Sequence, residues 1–285
     1  MNKDELLARL EEIGAQGPKR SLGQNFLISE NIIGRIIKAV QRNAAQEIIE
    51  IGPGLGSLTD ELITLGQPLT LIELDQKFIQ YWQRRLAGLD RKNPCQIISG
   101  DALRIDWKNI FQTERALLVS NLPYQISSSL VIDLSMRPHR LSAMILMFQK
   151  EVAQRITAVE RSKDYGLLTV IAQNFWQIDF LCECGPRDYF PAPNVAGRVL
   201  VFILRKDIEN VLEESQRLEF LKFVKAGFSH RRKHLYNNLR DHYFSSRDKS
   251  EEILLKAFEH LQLSRNARAE ELSPSLFKDL FLLCR

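Results

Sequence analysis

The chain has 285 residues, of which 45% are apolar and 26% charged, with a formal net charge of +4. That length holds one large domain or two smaller ones, and those fractions suit a chain that buries its own core, which excludes disordered, low-complexity and small disulfide-stapled classes. Four cysteines are too few for a disulfide framework in a chain this long, and the mildly basic balance permits a nucleic-acid partner without requiring one.

Leu6, Leu7, Leu10 and Ile13 recur at helical spacing and Gly14 and Gly17 end the pattern, so residues 1–17 are expected to form a loosely attached leading helix. This stretch is acidic and lacks the apolar core of a signal peptide. An irregular segment, KRSLGQNFL from Lys19 to Leu27, precedes a helix expected over 30–41. Ser29 is its expected N-cap, and Ile32, Ile33, Ile36, Ile37 and Val40 form its apolar stripe. Strands are then predicted near 47–51, 69–74, 95–99, 116–120 and 141–148, with helices near 57–66, 76–88, 127–136 and 149–161. Strands alternating with helices predict a mostly parallel sheet covered on both faces. Ile178–Cys184 and Arg198–Leu204 read as two further strands, a closing antiparallel hairpin at one sheet edge. Cys182 and Cys184 lie at strand spacing with no other metal-ligating side chain near them in sequence, so they are expected to be reduced and structural. From Lys206 onward no strand run appears, and helices are predicted near 210–228, 230–243, 250–261 and 274–283. The expected organisation is an α/β domain over 1–205 and a small all-helical domain over 206–285. The longest apolar run, Ala143–Phe148, is too short to span a bilayer, and a cytoplasmic address is expected.

The chemistry concentrates at the predicted strand ends. Gly52-Pro53-Gly54-Leu55-Gly56 follows the first strand, and glycines there let the backbone turn tightly and approach a ligand. The spacing is GxGxG, with Ser57 where a dinucleotide fingerprint has its third glycine, so a pyrophosphate nest is not expected. Glu50, just before the loop, can organise it or receive a ligand's ammonium group. Glu73 ends the second strand about twenty residues on, where a carboxylate can accept both hydroxyls of a ribose. Asp101, followed by Ala102, comes after the third strand and can accept an adenine amino group. Three successive strand ends thus feed one crevice, where open α/β sheets bind ligands. S-adenosylmethionine, a phosphate-free nucleoside with an amino-acid tail, fits that set.

At the fourth strand end stands Asn121-Leu122-Pro123-Tyr124. An exocyclic adenine amine is a poor nucleophile because its lone pair is delocalised into the ring. The Asn121 side-chain oxygen and the Leu122 carbonyl can hold its two hydrogens and leave the lone pair aimed at a methyl donor. Pro123 fixes the turn without an N–H, and Tyr124 can stack on the base. Phe190, in FPAP before the last strand, is either part of a rigid turn or a second stacking surface. In the run SHRRKHLYNNLR, Arg231, Arg232 and Lys233 make a compact phosphate-binding patch, to which Lys19, Arg20, Lys150 and Arg155 add a basic rim. His230 and His234 are four apart, but the cations beside them and the missing HExxH glutamate argue against a metal.

Taken in order, Leu22-Gly23-Gln24-Asn25-Phe26-Leu27, the EIGPG loop, the Glu73 strand, Gly100-Asp101-Ala102, Asn121–Tyr124, Phe148–Val152, the FxPxP loop, Phe228–Lys233 and Arg268–Ser273 cover nearly the whole chain. In this combination the chain resembles the ribosomal small-subunit adenine dimethyltransferases, the KsgA/RsmA type. The resemblance implies a Rossmann-like class I methyltransferase sheet with a C-terminal helical domain. It implies dimethylation, with S-adenosylmethionine, of two neighbouring adenosines in a hairpin loop near the 3′ end of 16S rRNA, on an assembling 30S subunit, by a monomer without metal. It also implies that Asn25, Leu27, Gly52, Gly54, Glu73, Asp101, Ala102 and Asn121 contact the cofactor, that Asn121, Leu122, Pro123, Tyr124 and Phe190 form the base site, and that the helical domain grips rRNA. One departure stands out: after FxPxP the family usually has Lys-Val and then Ser two residues on, where this chain has Asn194-Val195-Ala196-Gly197.

Two other function classes compete. A non-catalytic assembly factor on the same fold is disfavoured because every carboxylate, glycine and the NLPY string is intact. A nicotinamide-dependent oxidoreductase is disfavoured by Ser57 and by the lack of an evident proton-donor set.

Overall fold

The computed structural model describes residues 1–15, 17, 25–88, 94–123, 125–136, 140–206, 212–244 and 250–285. The chain forms two compact units. One comprises Met1–Leu130, His139–Ala153 and Ile178–Leu204; the other comprises Val131–Pro138, Gln154–Gln177 and Arg205–Arg285. Where the sequence reading cuts the chain once, the second unit thus also takes in two earlier stretches.

The first unit is built on a seven-stranded sheet. Its strands are β2 (Glu47–Ile51), β3 (Leu69–Glu73), β4 (Cys95–Ser99), β5 (Ala116–Asn121), β6 (Leu141–Gln149), β7 (Trp176–Cys184) and β9 (Gly197–Leu204). A separate antiparallel pair, β1 (Phe26–Leu27) and β8 (Tyr189–Phe190), sets Phe26 opposite Phe190. The order in the large sheet is β4-β3-β2-β5-β6-β9-β7. The pairings from β4 through β6 are parallel, and β9 runs antiparallel to β6. The two late strands are therefore neighbours at one edge, as expected of the closing element. The order reverses between β2 and β5, which opens a crevice at the carboxyl ends of those strands.

Strands β2 and β3 are buried at every position, as parallel strands covered on both faces must be. Glu47 belongs to that buried set because its carboxylate accepts from the backbone N–H groups of Gln112 and Thr113. The helix Glu30–Arg42 buries Ile32, Ile33, Ile36, Ala39 and Val40; Ser29 holds the N-cap position with extended backbone but makes no side-chain cap bond. The helix Gln76–Ala87 is capped by Asp75, which accepts from the N–H of Lys77 at 2.9 Å. The leading helix, Lys3–Glu12, differs from expectation: it is firmly attached, with Leu6 and Leu10 buried in the core. Cys182 and Cys184 are free thiols buried on one face of β7.

In the second unit the helix expected over 149–161 stops at Ile156, and an unexpected helix runs from Leu167 to Phe175. The side-chain amide of Gln173 on that second helix donates to the carbonyls of Ile156 and Ala158 and so closes the first. Helices Glu214–Gly227, Leu235–His242, Ser250–His260 and Pro274–Leu283 follow, packed around Phe220, Phe223, Phe277 and Phe281. The helix expected from residue 230 begins five residues later. Asn238, fully buried, donates from its amide to the carbonyls of Gly227 and His230 and holds 228–234 as a turn.

Candidate active site

The tips of β2, β3, β4 and β5 surround one cavity of about 440 Å³, a volume ordinary for a small-molecule site. Gly52 and Gly54 from the first tip, Glu73 from the second, Asp101 and Ala102 from the third, and Asn121, Leu122 and Pro123 from the fourth all line it. Asn25 and Phe26 close one wall.

The glycine loop is a left-handed path: Gly52, Gly54 and Gly56 have φ of +66°, +52° and +99°, a region costly for other residues. Its carbonyls are anchored from outside the loop. Trp82 Nε1 donates to the carbonyl of Gly54 at 2.9 Å, and Ser120 Oγ donates to that of Ile51 at 2.6 Å. Its geometry is thus set before any ligand arrives.

Glu73 is 8% exposed. Its Oε1 accepts from the N–H groups of Leu74 and Asp75 at 2.8 and 2.9 Å, and its Oε2 from that of Gly54 at 3.3 Å. Burial pushes its pKa up and these backbone bonds oppose the rise. A carboxylate oriented by backbone on one side can take hydroxyl donors on the other.

Glu50 is buried in the cavity wall with one carboxylate oxygen unpaired. Burial, with Asp60 and Glu73 adding negative charge nearby, pushes its pKa up to about 8. Glu50 Oε2, Ser57 Oγ and Thr59 Oγ1 complete no hydrogen bond among the described residues. A buried carboxylate oxygen lacking a partner is a receptor for a cation or a hydrogen-bond donor. Together the left-handed glycines, the oriented Glu73 and the unpartnered Glu50 and Ser57 fit the ribose, ammonium and amino-acid tail of S-adenosylmethionine.

Asp101 Oδ1 accepts from the N–H of Leu103 at 3.0 Å, and Oδ2 lies 3.5 Å from the largely exposed Arg104. Asn121 Nδ2 donates to the carbonyl of Asn25 at 3.0 Å. That bond fixes which end of the amide is which, and leaves Oδ1 as the acceptor end.

The expected cofactor residues thus converge, except that Leu27 is fully buried in the core and does not line the cavity. Tyr124, Lys19 and Arg20 lie outside the described residues. Phe190 is half-buried beside Phe26 through the β1–β8 pair, with Lys3 Nζ 4.9 Å from its ring centroid, and is not part of the cavity wall. Among the expected cations, Lys150 pairs with Glu183 at 3.0 Å. Arg155, Arg232 and Lys233 are exposed. Arg231 departs from the phosphate-patch expectation: its guanidinium donates to Glu270 at 2.7 Å and to the carbonyls of Lys163 and Ser162 at 2.5 and 3.0 Å. Those bonds tie down the loop before Gly166 and engage each guanidinium nitrogen in the fold. His230 stacks on His242 rather than meeting His234, with Nδ1 and Nε2 3.1 Å apart. No cluster of metal-ligating side chains occurs, and no helix is long and apolar enough to cross a membrane, among the described residues.

The sequence reading missed several wall residues. Phe26 and Phe78 meet edge to face at 6.1 Å and form an apolar side of the cavity, and the exposed Gln125 also lines it. Phe78, three positions into the helix that follows Glu73, was legible as a neighbour of that carboxylate. Ser57 was noticed only for the glycine it replaces.

A family model described as "Ribosomal RNA adenine dimethylase" matches residues 16–284. A protein of Bdellovibrio bacteriovorus called "Ribosomal RNA small subunit methyltransferase A" is 46% identical over 277 residues, covering 97% of this chain and 96% of its own. One of the same description from Desulfitobacterium hafniense is 38% identical over 270 residues, covering 95% and 93%. Among solved structures, a dimethyladenosine transferase from Plasmodium falciparum superposes with a TM-score of 0.74 at 24% identity, over 90% of this chain and 96% of that one. The 23S rRNA methyltransferase ErmE superposes with a TM-score of 0.63 at 22% identity, over 90% and 98%. These two likenesses bear on the fold, which is that of Rossmann-like methyltransferases.

Proposed function

The chain belongs to the ribosomal RNA adenine dimethylase family, and from that premise we propose that it is an S-adenosylmethionine-dependent rRNA adenine-N6 dimethyltransferase. Its targets are two adjacent adenosines in the 3′-terminal hairpin loop of 16S rRNA, modified in the cytoplasm while the 30S subunit assembles. The observation that carries this reading is the convergence of Gly54, Glu73, Asp101 and Asn121 on one cavity.

Bound S-adenosylmethionine supplies a methyl group on a positively charged sulfur, open to attack by a nitrogen lone pair. Glu73 receives the ribose hydroxyls, and Asp101 with Ala102 meets the adenine edge. Glu50 and Ser57 take the amino-acid tail, and Asn25 and the glycine loop close around it. Burial of the ammonium beside Glu50 offsets the cost of keeping that carboxylate ionised.

Asn121 holds the target amine. Its Nδ2 is committed to the Asn25 carbonyl, so Oδ1 and the Leu122 carbonyl are the acceptors for the two amine hydrogens. This draws the nitrogen toward a tetrahedral shape with its lone pair free. Pro123 contributes no competing N–H. Tyr124 and Phe190 stack on the extruded base. The departing proton is acidic once the nitrogen is alkylated and passes to solvent, so no dedicated general base is required. The helical domain from residue 206, with Arg232 and Lys233, and the cations Lys19, Arg20, Lys150 and Arg155 meet rRNA phosphates.

The test is incubation with methyl-labelled S-adenosylmethionine and small subunits from cells lacking the modification. Label recovered as N6-dimethyladenine in 16S rRNA supports the reading, and label absent from rRNA adenine refutes it.

A further inference from the structure

The family pattern begins at residue 16, so the leading helix Lys3–Glu12 lies outside it. That helix is nonetheless wired into the glycine loop. We propose that Arg9 is a positioning residue for cofactor binding: it holds the backbone of the GxGxG loop in its receptive shape from the side away from the ligand. The proposal rests on reading the cavity as the S-adenosylmethionine site.

Leu55 lies between two glycines with positive φ, where the chain makes no regular ladder, and its carbonyl takes its donor from outside the loop. The carbonyl of Leu55 accepts from Arg9 Nη1 at 2.7 Å. The same nitrogen lies 2.6 Å from Asp60 Oδ2, and the other oxygen of Asp60 is 2.7 Å from Arg85 Nη1. A charged donor shared by a carbonyl and a carboxylate is stronger than a neutral one. The packing is close: a β-carbon at Gly56 would lie 3.0 Å from Asp60 Oδ1 and Trp82 Cζ2 and 3.1 Å from Arg9 Nη1. The Arg9 side chain is only 21% exposed, unlike an ordinary solvated surface charge.

The helix that presents Arg9 is itself anchored. Asn2 and Glu5 form a reciprocal cap at its start, and Leu6 and Leu10, on its inner face, are 0% and 2% exposed. Leu55 does not line the cavity, whereas Pro53, Gly54 and Ser57 on either side of it do. Arg9 therefore acts on the ligand only through the loop. Without it the Leu55 carbonyl loses its donor and the loop samples other shapes, so cofactor binding must bear the cost of ordering it.

Calorimetric titration of the full-length protein with S-adenosylmethionine tests this. Arg9→Ala is expected to weaken binding about tenfold, as for a lost charge-assisted hydrogen bond, and to raise the KM for S-adenosylmethionine by a similar factor while leaving kcat at saturation unchanged. Arg9→Lys is expected to restore part of the affinity, because an ammonium keeps a donor but not the planar fork. Asp60→Asn is expected to weaken binding in the same direction, and with Arg9→Lys it carries the test should Arg9→Ala fail to fold. Affinity within twofold of wild type in folded variants overturns the role of Arg9, as does a fall in kcat at unchanged KM. A wild-type protein that binds no S-adenosylmethionine overturns the reading of the cavity as well, so the two failures are distinct.

Discussion

The hydroxyl of Tyr189 stands where a side chain on residue 197 would begin. A β-carbon built on Gly197 would lie 2.5 Å from that oxygen, 3.5 Å from the Tyr189 Cζ and 3.3 Å from the carbonyl oxygen of Phe148. The hydroxyl is held by a contact with Met147 Sδ at 2.7 Å. With glycine at residue 197, the phenol occupies that space. Gly197→Ser should therefore destabilise the protein by about 1–3 kcal/mol, as overpacking does. Combining it with Tyr189→Phe should recover much of that loss. Denaturant unfolding of both variants measures the coupling, and strict additivity would contradict the steric explanation.

Glu50 makes stability depend on pH. Its pKa is pushed up to about 8 in the folded chain against 4.5 for an ordinary carboxyl, so between those values the folded state holds a proton that the unfolded state has released. The unliganded protein should lose stability as pH rises through that window, by a few kcal/mol at most. Glu50→Gln should flatten this dependence and raise the melting temperature at pH 8, while weakening S-adenosylmethionine binding because the ammonium loses its counter-charge. A variant that melts lower at pH 8 would contradict the assignment.

Asn121→Ala removes the acceptor given to the target amine. Turnover on small subunits should fall roughly 10²-fold or more, as for other transition-state hydrogen bonds. Cofactor affinity should change far less. Unchanged turnover would refute the role of the amide.

Arg231 and its neighbours should behave differently. Arg231→Ala should lower stability by about 1–3 kcal/mol, because Ser162, Lys163 and Glu270 lose their donor. Arg232→Ala and Lys233→Ala should leave melting unchanged, weaken subunit binding, and each reduce the salt slope by about one. Binding measured over a range of salt concentrations separates the two kinds of cation.

Much of the site was legible because strand-end chemistry is local. Strands β2, β3 and β5 are covered on both faces and read as short, mostly apolar runs, so Gly52, Glu73 and Asn121 could be placed at their ends from sequence alone. What escaped depends on distant partners. The strands β1 and β8 are two residues each, too short to show a period, yet they bring Phe190 beside Phe26. The helix Leu167–Phe175 buries nearly all of its residues, so it lacks the polar face that marks an amphipathic helix. Arg231 finds its carbonyl partners 68 and 69 residues away, and Arg9 finds Leu55 46 residues away. No spacing rule distinguishes such arginines from solvated ones.

Under the proposed function, the four strand tips position a methyl donor against adenine amines in 16S rRNA, and mass mapping of that RNA from cells with and without this protein is the decisive measurement. The expected result is a pair of adjacent N6-dimethyladenosines in the 3′-terminal hairpin loop that disappears with the protein and returns with the wild-type chain but not with Asn121→Ala. Two adenosines whose modification is the same in both cell lines would contradict it.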